Sequence, residues 1–433
     1  MTRDAATFDP VAPLFISYRH SDGSAIATAL VGLLRAAGIP VWRDRDDLPP
    51  GDTTARLEQA IDAGISGAVI IVTEDIANSR VVKEVEVPRL LRVHEADASF
   101  SLGIVNDVTE PGGTVDYGAP DRLLQPAAGS LRGVDQRGTD RDDLVRFARA
   151  IVWQRLALIR DRRANARRRL EINIQTRNAA QVYDRSGADL EIRLRPSTHE
   201  RLPSASGLRD LKDTIAFLPD AATRANASTV RIRGGGHLSV AFALGAALPS
   251  TRIGALEVQG SDGATWTGGT VAARSEPARV RVLAKGAGGP HTGDAAPSVA
   301  VYVDLLEIRS DAAYDRFLED YAAHLDAWLH VGTVRTGPLD PSEASELAAE
   351  VAALVRQLSY EHSNAEVHVL LRCPFPMAVL LGRLSNTLRC VVYEWSDSPV
   401  EGDRDRRPRY VGTLQVRASA TSGVIQRVLL TEV

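Results

Sequence analysis

Between Pro13 and Leu158 the chain alternates short apolar runs with stretches of helical periodicity, an order that few folds accept. Pro13 to Tyr18 (PLFISY), Ile39 to Trp42, Gly67 to Thr73 (GAVIIVT), Phe100 to Val105 and Leu131 to Val134 read as strands. Ser24 to Ala37, Thr54 to Ala63, Val81 to Leu91 and Asp143 to Leu158 read as helices, the first with Ile26, Ala29, Leu30, Leu33 and Leu34 on one side and Gly38 as its stop. Strands this short and this apolar keep no face for water. The alternation therefore predicts an α/β domain with a mostly parallel sheet covered on both faces. After Trp42 the stretch RDRDDLPPGD is too rich in Asp, Arg, Pro and Gly to lie in a sheet, so it projects.

An open sheet of this kind holds ligands beyond the carboxyl ends of its strands. Gly67 to Thr73 feeds NSRVVKEVEV, Asn78 to Val87, which carries Glu84 and Glu86 into the first turns of a helix. Residues two apart on a helix point about 200° away from each other, so the two carboxylates cannot serve one site together, and either could simply face water. The first strand is followed by RHSDG and not by GxGxxG, so a dinucleotide here would be a passing substrate and not a cradled redox cofactor.

FISYRHSDG (Phe15 to Gly23), VWRDRDDLPPGD (Val41 to Asp52) and SRVVKE (Ser79 to Glu84) together resemble the signature stretches of a TIR domain, in the bacterial form similar to NAD-cleaving enzymes. The resemblance covers Val11 to Leu158 and implies a flavodoxin-like fold with a catalytic glutamate at Glu84. The aromatic residue usual four positions earlier is Arg80 here. The chemistry suits a carboxylate. Breaking the nicotinamide–ribose bond expels a neutral ring and leaves an oxocarbenium-like sugar, which needs negative charge beside the ribose and a dry slot for the ring. Phe15, Tyr18, Trp42, Arg43, Asp44 and Asp46 are candidates to line that slot, with Phe15 and Trp42 equally readable as core; the projecting loop is also a candidate assembly surface.

RLALIRDRRANARRRL, Arg155 to Leu170, reads as the solvated end of a helix and a connector, or as arginines for phosphate. The expected organisation is a domain over 1–158, a basic linker over 159–170 and a second domain over 171–433. In the latter, Leu170 to Gln175, Leu190 to Leu194, Ser228 to Arg233, Thr251 to Gln259, Ala278 to Ala284, Ser298 to Leu305, His368 to Cys373 and Cys390 to Glu394 read as strands. Leu208 to Leu218, Ala312 to Leu329 and Pro341 to Leu358 read as helical. Two passages repeat a strand, a Gly or Pro turn and an apolar helix: RGGGHLSVAFALGAALP with Gly245, and the stretch through PFPMAVLLGRLSN with Gly382. The glycines before the first helix suit either close approach of a phosphate or chain reversal alone. The repeat predicts two Rossmann-like halves facing each other across a pocket.

GHLSVAFALGAALP, HVLLRCPFPMAVLLGRLSN and CVVYEW resemble the SAVED domain, a cyclic-oligonucleotide sensor of bacterial antiphage systems built from two fused CARF-like subdomains. The resemblance places His237, Ser239, Arg372, Pro374 and Arg383 in the matching turns. Lys285 and Arg389 as cations, and Trp266, Tyr393 and Trp395 as stacking surfaces, are added on chemistry alone, against the reading of ordinary surface or core residues.

Net charge is −4 over 433 residues, which argues against long nucleic acid as a partner. Two cysteines are too few for a disulfide framework, and no apolar run spans a membrane or forms a secretory leader, so a cytoplasmic protein is expected. Neither HExxH nor paired-cysteine spacing occurs, and no metal is expected. The two resemblances together imply an NAD+ glycohydrolase gated by a cyclic oligonucleotide, cyclic tri-adenylate first among activators to try, with NAD+ as substrate, no resident cofactor, and ligand-driven head-to-tail homo-oligomers or filaments. A non-enzymatic TIR scaffold and an ADP-ribosyl cyclase or transferase are the rival readings.

Overall fold

The computed structural model describes residues 9–43, 64–125, 130–162, 169–178, 187–269, 278–289, 296–398 and 405–431. The loop holding Asp44 and Asp46, the helix expected over Thr54 to Ala63, and residues 163–168 of the expected linker lie outside them. The chain divides into two compact units, Met1–Arg167 with Ala180–Ile192, and Arg168–Ala179 with Arg193–Val433. Among the described residues no helix is long and apolar enough to cross a membrane.

In the first unit β1 (Leu14–Ser17), β2 (Val41–Arg43), β3 (Gly67–Val72), β4 (Ser101–Asn106) and β5 (Asp135–Arg137) form a parallel sheet in the order β2-β1-β3-β4-β5. Every residue of β1, β3 and β4 is buried. The helices are α1 (Ser24–Ala36), α2 (Val87–Ala96), α3 (Ala119–Leu124) and α4 (Arg141–Arg162). On one face Phe15, Ile70 and Ile104 share a core with Val82, Val87 and Leu90; on the other, Gly103 leaves room for Phe147 of α4. This is the flavodoxin-like order, whose ligand crevice opens between β1 and β3. Gly38 ends α1 at φ +92°, as its position predicts.

Three readings need correction in this unit. Leu131 and Val134 anchor a turn in the core, closed by the Val134 N–H on the Leu131 carbonyl, and the strand is the next three residues. The helix carrying Glu84 is not regular: Val82–Glu86 is a π turn that runs into α2. Pro88 supplies the reason, because it has no N–H to give and its ring crowds the carbonyl four residues back, so the preceding turn widens. Arg155, first of the basic stretch, is buried inside the unit. Its guanidinium donates to the carbonyls of Val11 (2.7 Å), Ala12 (3.0 Å) and Asp189 (2.8 Å). Burial lowers it to about 10, which leaves it a cation at neutral pH.

The second unit carries two sheets. β7 (Leu190–Arg193) stands where the chain passes between units, while β6 (Arg169–Gln175), β8 (Thr229–Gly235) and β9 (Ala255–Gln259) run parallel, with β10 (Thr265–Gly268) folded back on β9. The second sheet runs β11-β13-β12-β14-β15-β16-β17, from β11 (Val280–Ala287), β12 (Ser298–Asp304), β13 (Ala327–Thr333), β14 (Glu366–Arg372), β15 (Cys390–Ser396), β16 (Arg409–Val416) and β17 (Ile425–Val428). Its centre, β13-β12-β14-β15, is parallel. The helices are α5 (Ala205–Thr214), α6 (Leu218–Arg224), α7 (Leu238–Ala247), α8 (Ala312–Tyr321), α9 (Ala344–Glu361) and α10 (Phe375–Arg383). The helix expected over Ala312 to Leu329 stops at Tyr321, and β13 begins at Ala327. Asp326 makes the break, since its side chain accepts the Ser298 N–H at the start of β12 and so ties the turn to the sheet.

The two strand–turn–helix passages are β8 to α7 and β14 to α10, and they meet through their glycines. A methyl on Gly245 would overlap the Val379 carbonyl, and one on Gly382 would overlap the Phe242 carbonyl. Each helix thus seats a backbone carbonyl of the other where a side chain would stand. Gly245→Ala and Gly382→Ala should each cost about 1–3 kcal/mol by overpacking. Urea unfolding checks this, and wild-type midpoints in both variants would show that the crossing tolerates a methyl.

Candidate functional site

In the first unit the loops after β1 and β3 are stitched together across the crevice. Arg19 pairs with Asp75 at 2.7 Å, Ser21 Oγ donates to Asp75 at 2.9 Å, and the Asp75 N–H donates to Asp22. Hydrogen bonds from Asn78 first, then Ser21, hold the Asp75 carboxyl below its usual range. The π turn faces two ways. Glu86 is 5% exposed and accepts the Ser17 hydroxyl at 2.5 Å, which pins the turn to the carboxyl end of β1. Glu84 is exposed, and its carboxylate pairs with Arg80 at 2.7 Å. So exposed a pair opens easily.

Phe15 is a core residue, Tyr18 is buried with its ring 4.9 Å from that of His20, and Trp42 is half-buried against the core. Arg43 ends β2, and Asp44 and Asp46 lie outside the described residues.

In the second unit α7 begins at the carboxyl end of β8. His237 caps it, is 1% exposed, and is held by Thr176, whose hydroxyl accepts the His237 N–H at 2.8 Å and pairs with Nδ1 at 2.9 Å. Gly236 must be a glycine, because a methyl there would overlap that hydroxyl. Gly234 has φ +95° and crowds the Ile174 carbonyl, so two of the three glycines answer to backbone packing. At the second residue of α7, the Ser239 N–H donates to Glu394 at 2.6 Å. That bond brings the start of α7 to the carboxyl end of β15. Pro374 caps α10 at the end of the neighbouring β14, whose last residue, Arg372, pairs with Asp304 at 2.6 Å.

One edge of the unit therefore gathers His237, Ser239, Arg372, Pro374 and Trp395, with Arg201 lying 5.4 Å over the Trp395 ring. Arg201, Glu394, Thr176 and Arg177, whose charge reaches both His237 and Glu394, escape the sequence reading because no motif marks them.

The other candidates stand elsewhere. Arg383 sits at the far end of α10 and donates to the carbonyls of Leu248 (2.9 Å), Ile253 (2.6 Å) and Gly254 (3.0 Å). Arg389 lies at the amino end of β15 and holds the Asn364 carbonyl. Tyr393 is a core residue paired with His368, Trp266 is buried on β10, and Lys285 is exposed on the edge strand β11.

Residues 14–112 match the family described as TIR domain, and residues 211–415 match the SMODS-associated and fused to various effectors sensor domain, SAVED. The chain is a TIR domain fused to a SAVED domain. Among solved structures, it is similar to the Acinetobacter baumannii Cap4 SAVED/CARF-domain containing receptor with the cyclic trinucleotide 2'3'3'-cAAA, at 13% identity over 85% of this chain and 86% of that one, TM-score 0.44. The same receptor with 3'3'3'-cAAA gives 13% identity over 92% and 99%, TM-score 0.44. The Moraxella osloensis Cap4 receptor gives 12% over 92% and 98%, TM-score 0.39. No curated protein matches.

The gathered edge of the SAVED unit holds two buried titratable groups with opposite tendencies. Burial, with the Arg177 charge adding to it, pushes His237 down to about 4, and burial pushes Glu394 up to about 7. An unfolded histidine takes up a proton near 6.5 where native His237 does not, so its contribution to stability is present above that pH and declines toward 4. Native Glu394 keeps its proton where an unfolded glutamate has lost it, so its contribution is full below about 4.5 and is lost as pH rises through about 7. Between about 4.5 and 6.5 the two slopes cancel. Glu394→Gln should uncover the histidine slope, up to about 1.4 kcal/mol per pH unit, with stability falling on acidification. Denaturant titrations across that range measure it; equal pH profiles for the variant and wild type would refute the pairing.

Proposed function

We propose that this protein hydrolyses NAD+ to nicotinamide and ADP-ribose when a cyclic oligonucleotide occupies its SAVED unit, and so empties the NAD pool of a phage-infected cell. The observation that carries the reading is a TIR unit, joined to a sensor domain in one chain, with a single helix turn that pins Glu86 inward and leaves Glu84 exposed near the β1/β3 crevice. In the proposed reaction the C1′–N bond of the ribose breaks and its electron pair stays on the ring nitrogen, which neutralises the pyridinium. Water then bonds to C1′ and releases a proton. Glu84 supplies negative charge beside the developing oxocarbenium. Trp42, half-buried, is the candidate wall for the nicotinamide, with Phe15 beside it in the core, and Tyr18 is a further candidate at the end of β1.

On the SAVED side, Arg372, Arg177 and Arg201 are the candidate phosphate contacts, the starts of α7 and α10 add oriented N–H groups, and Trp395 is a face for a base. Cyclic tri-adenylate is the first ligand to test. Occupancy of this edge can raise activity only if bound and empty states differ in a contact felt by the TIR unit, and we place that contact in ligand-driven head-to-tail self-association.

Glu84→Gln should lower nicotinamide release at least about 100-fold, the scale on which transition-state charge stabilisation is lost. Because Glu84 is exposed, the melting temperature and ligand affinity should not change. Near wild-type turnover in this variant would contradict the assignment, and a cyclic ADP-ribose product would redirect it to a cyclase.

A further inference from the structure

Asp304, Asp311 and His330 come together at the carboxyl edge of the second sheet of the SAVED unit. One ligand atom from each lies within 4.8 Å of the others. Sheet register makes the meeting. Tyr302 pairs with His330 and Asp304 with Gly332 along β12 and β13, so Asp304 and His330 stand two residues apart on one face of adjacent strands. Asp311 arrives from the residue that precedes α8.

Each acid is held by one oxygen and leaves the other unused. Asp304 takes Arg372 on Oδ1 at 2.6 Å, and its Oδ2 is buried without a partner. Asp311 takes Arg309 on Oδ2 at 3.1 Å, and its Oδ1 is buried without a partner. His330 is 3% exposed, packed against the rings of Tyr302 (4.7 Å) and Tyr314 (5.4 Å), and its Nε2 is likewise buried and unpartnered. Buried polar atoms are almost always satisfied, so an unused oxygen on each of two carboxylates beside an unused imidazole nitrogen calls for a partner that all three can share.

We propose that Asp304, Asp311 and His330 bind a divalent first-row transition cation, zinc or manganese. One imidazole with two carboxylates suits these ions better than magnesium or calcium, which prefer oxygen alone. Metal bonds of about 2.0–2.2 Å would draw the three ligand atoms closer together, and Asp311, the least buried of the three, is the side chain that would move. Three protein ligands leave a position open for water or for an anion. The ion would join β12, β13 and the start of α8, and through Asp304 it would fix Arg372. The proposal rests on this geometry and not on the proposed activity, and it is tested without NAD.

The full chain is treated with EDTA, desalted, and titrated with zinc and with manganese by calorimetry and thermal melting. Wild type should take up about one equivalent of one of these ions with a rise in melting temperature. His330→Gln and Asp311→Ala should each lose more affinity than the about 10- to 100-fold that outer partners of a metal site contribute. Melting curves of the metal-free variants check that they fold, and Asp311→Ala is the safer of the two because Asp311 is partly exposed. No uptake of either ion by wild type, or equal uptake by both variants, would overturn the proposal and leave the three groups to a buried water.

Discussion

A close approach of backbone to backbone in the SAVED unit, at the crossing of α7 and α10, sets the place of everything around it. Gly245 and Gly382 each receive a carbonyl of the opposite helix, so the two halves of the unit are locked at one depth and one angle. At the ends of the helices where the chain leaves them, Arg383 fastens the lock by donating to three carbonyls beyond α7. At the ends where they begin, the same crossing leaves His237 and Pro374 beside the carboxyl ends of β15 and β14. An edge with two helix starts, three arginines and an indole follows from how closely two helices can pack.

The TIR unit uses a different constraint to the same end. Pro88 widens the turn before it, and the widened turn sends Glu86 down to Ser17 and Glu84 out to water. Two carboxylates two residues apart thereby receive opposite environments: one is a tether for the sheet, the other an exposed charge whose partner is the surface residue Arg80. The stitched Arg19–Asp75 pair holds the crevice loops in place beside them.

Much of this was legible in the residues. Apolar runs such as GAVIIV can only be buried strands, Gly38 marks a helix end, and the repeated strand–turn–helix passages announce the two halves of the sensor. Directions along a helix already separated Glu84 from Glu86. What stayed hidden depends on distant pairing. Ala312 to Leu329 reads as one helix, and its last residues become the start of a strand because Asp326 ties the turn to Ser298. Arg383 reads as a phosphate ligand until the carbonyls around it are seen, and Arg155 reads as part of a solvated helix end until Val11, Ala12 and Asp189 close over it. Arg177, Arg201 and Glu394 have no motif to betray them, and the approach of Asp304, Asp311 and His330 is written only in the register of β12 on β13.

The central claim is that an event in the SAVED unit switches chemistry in the TIR unit. It is tested most directly by following ADP-ribose formation and particle mass together in the purified full chain, with and without each of a panel of cyclic di-, tri- and tetranucleotides. The account predicts near-zero turnover without ligand and, for one cyclic oligonucleotide, turnover that rises more steeply than protein concentration as particle mass grows. Full-rate hydrolysis in the absence of every ligand, or by ligand-bound protein that remains monomeric, would contradict it.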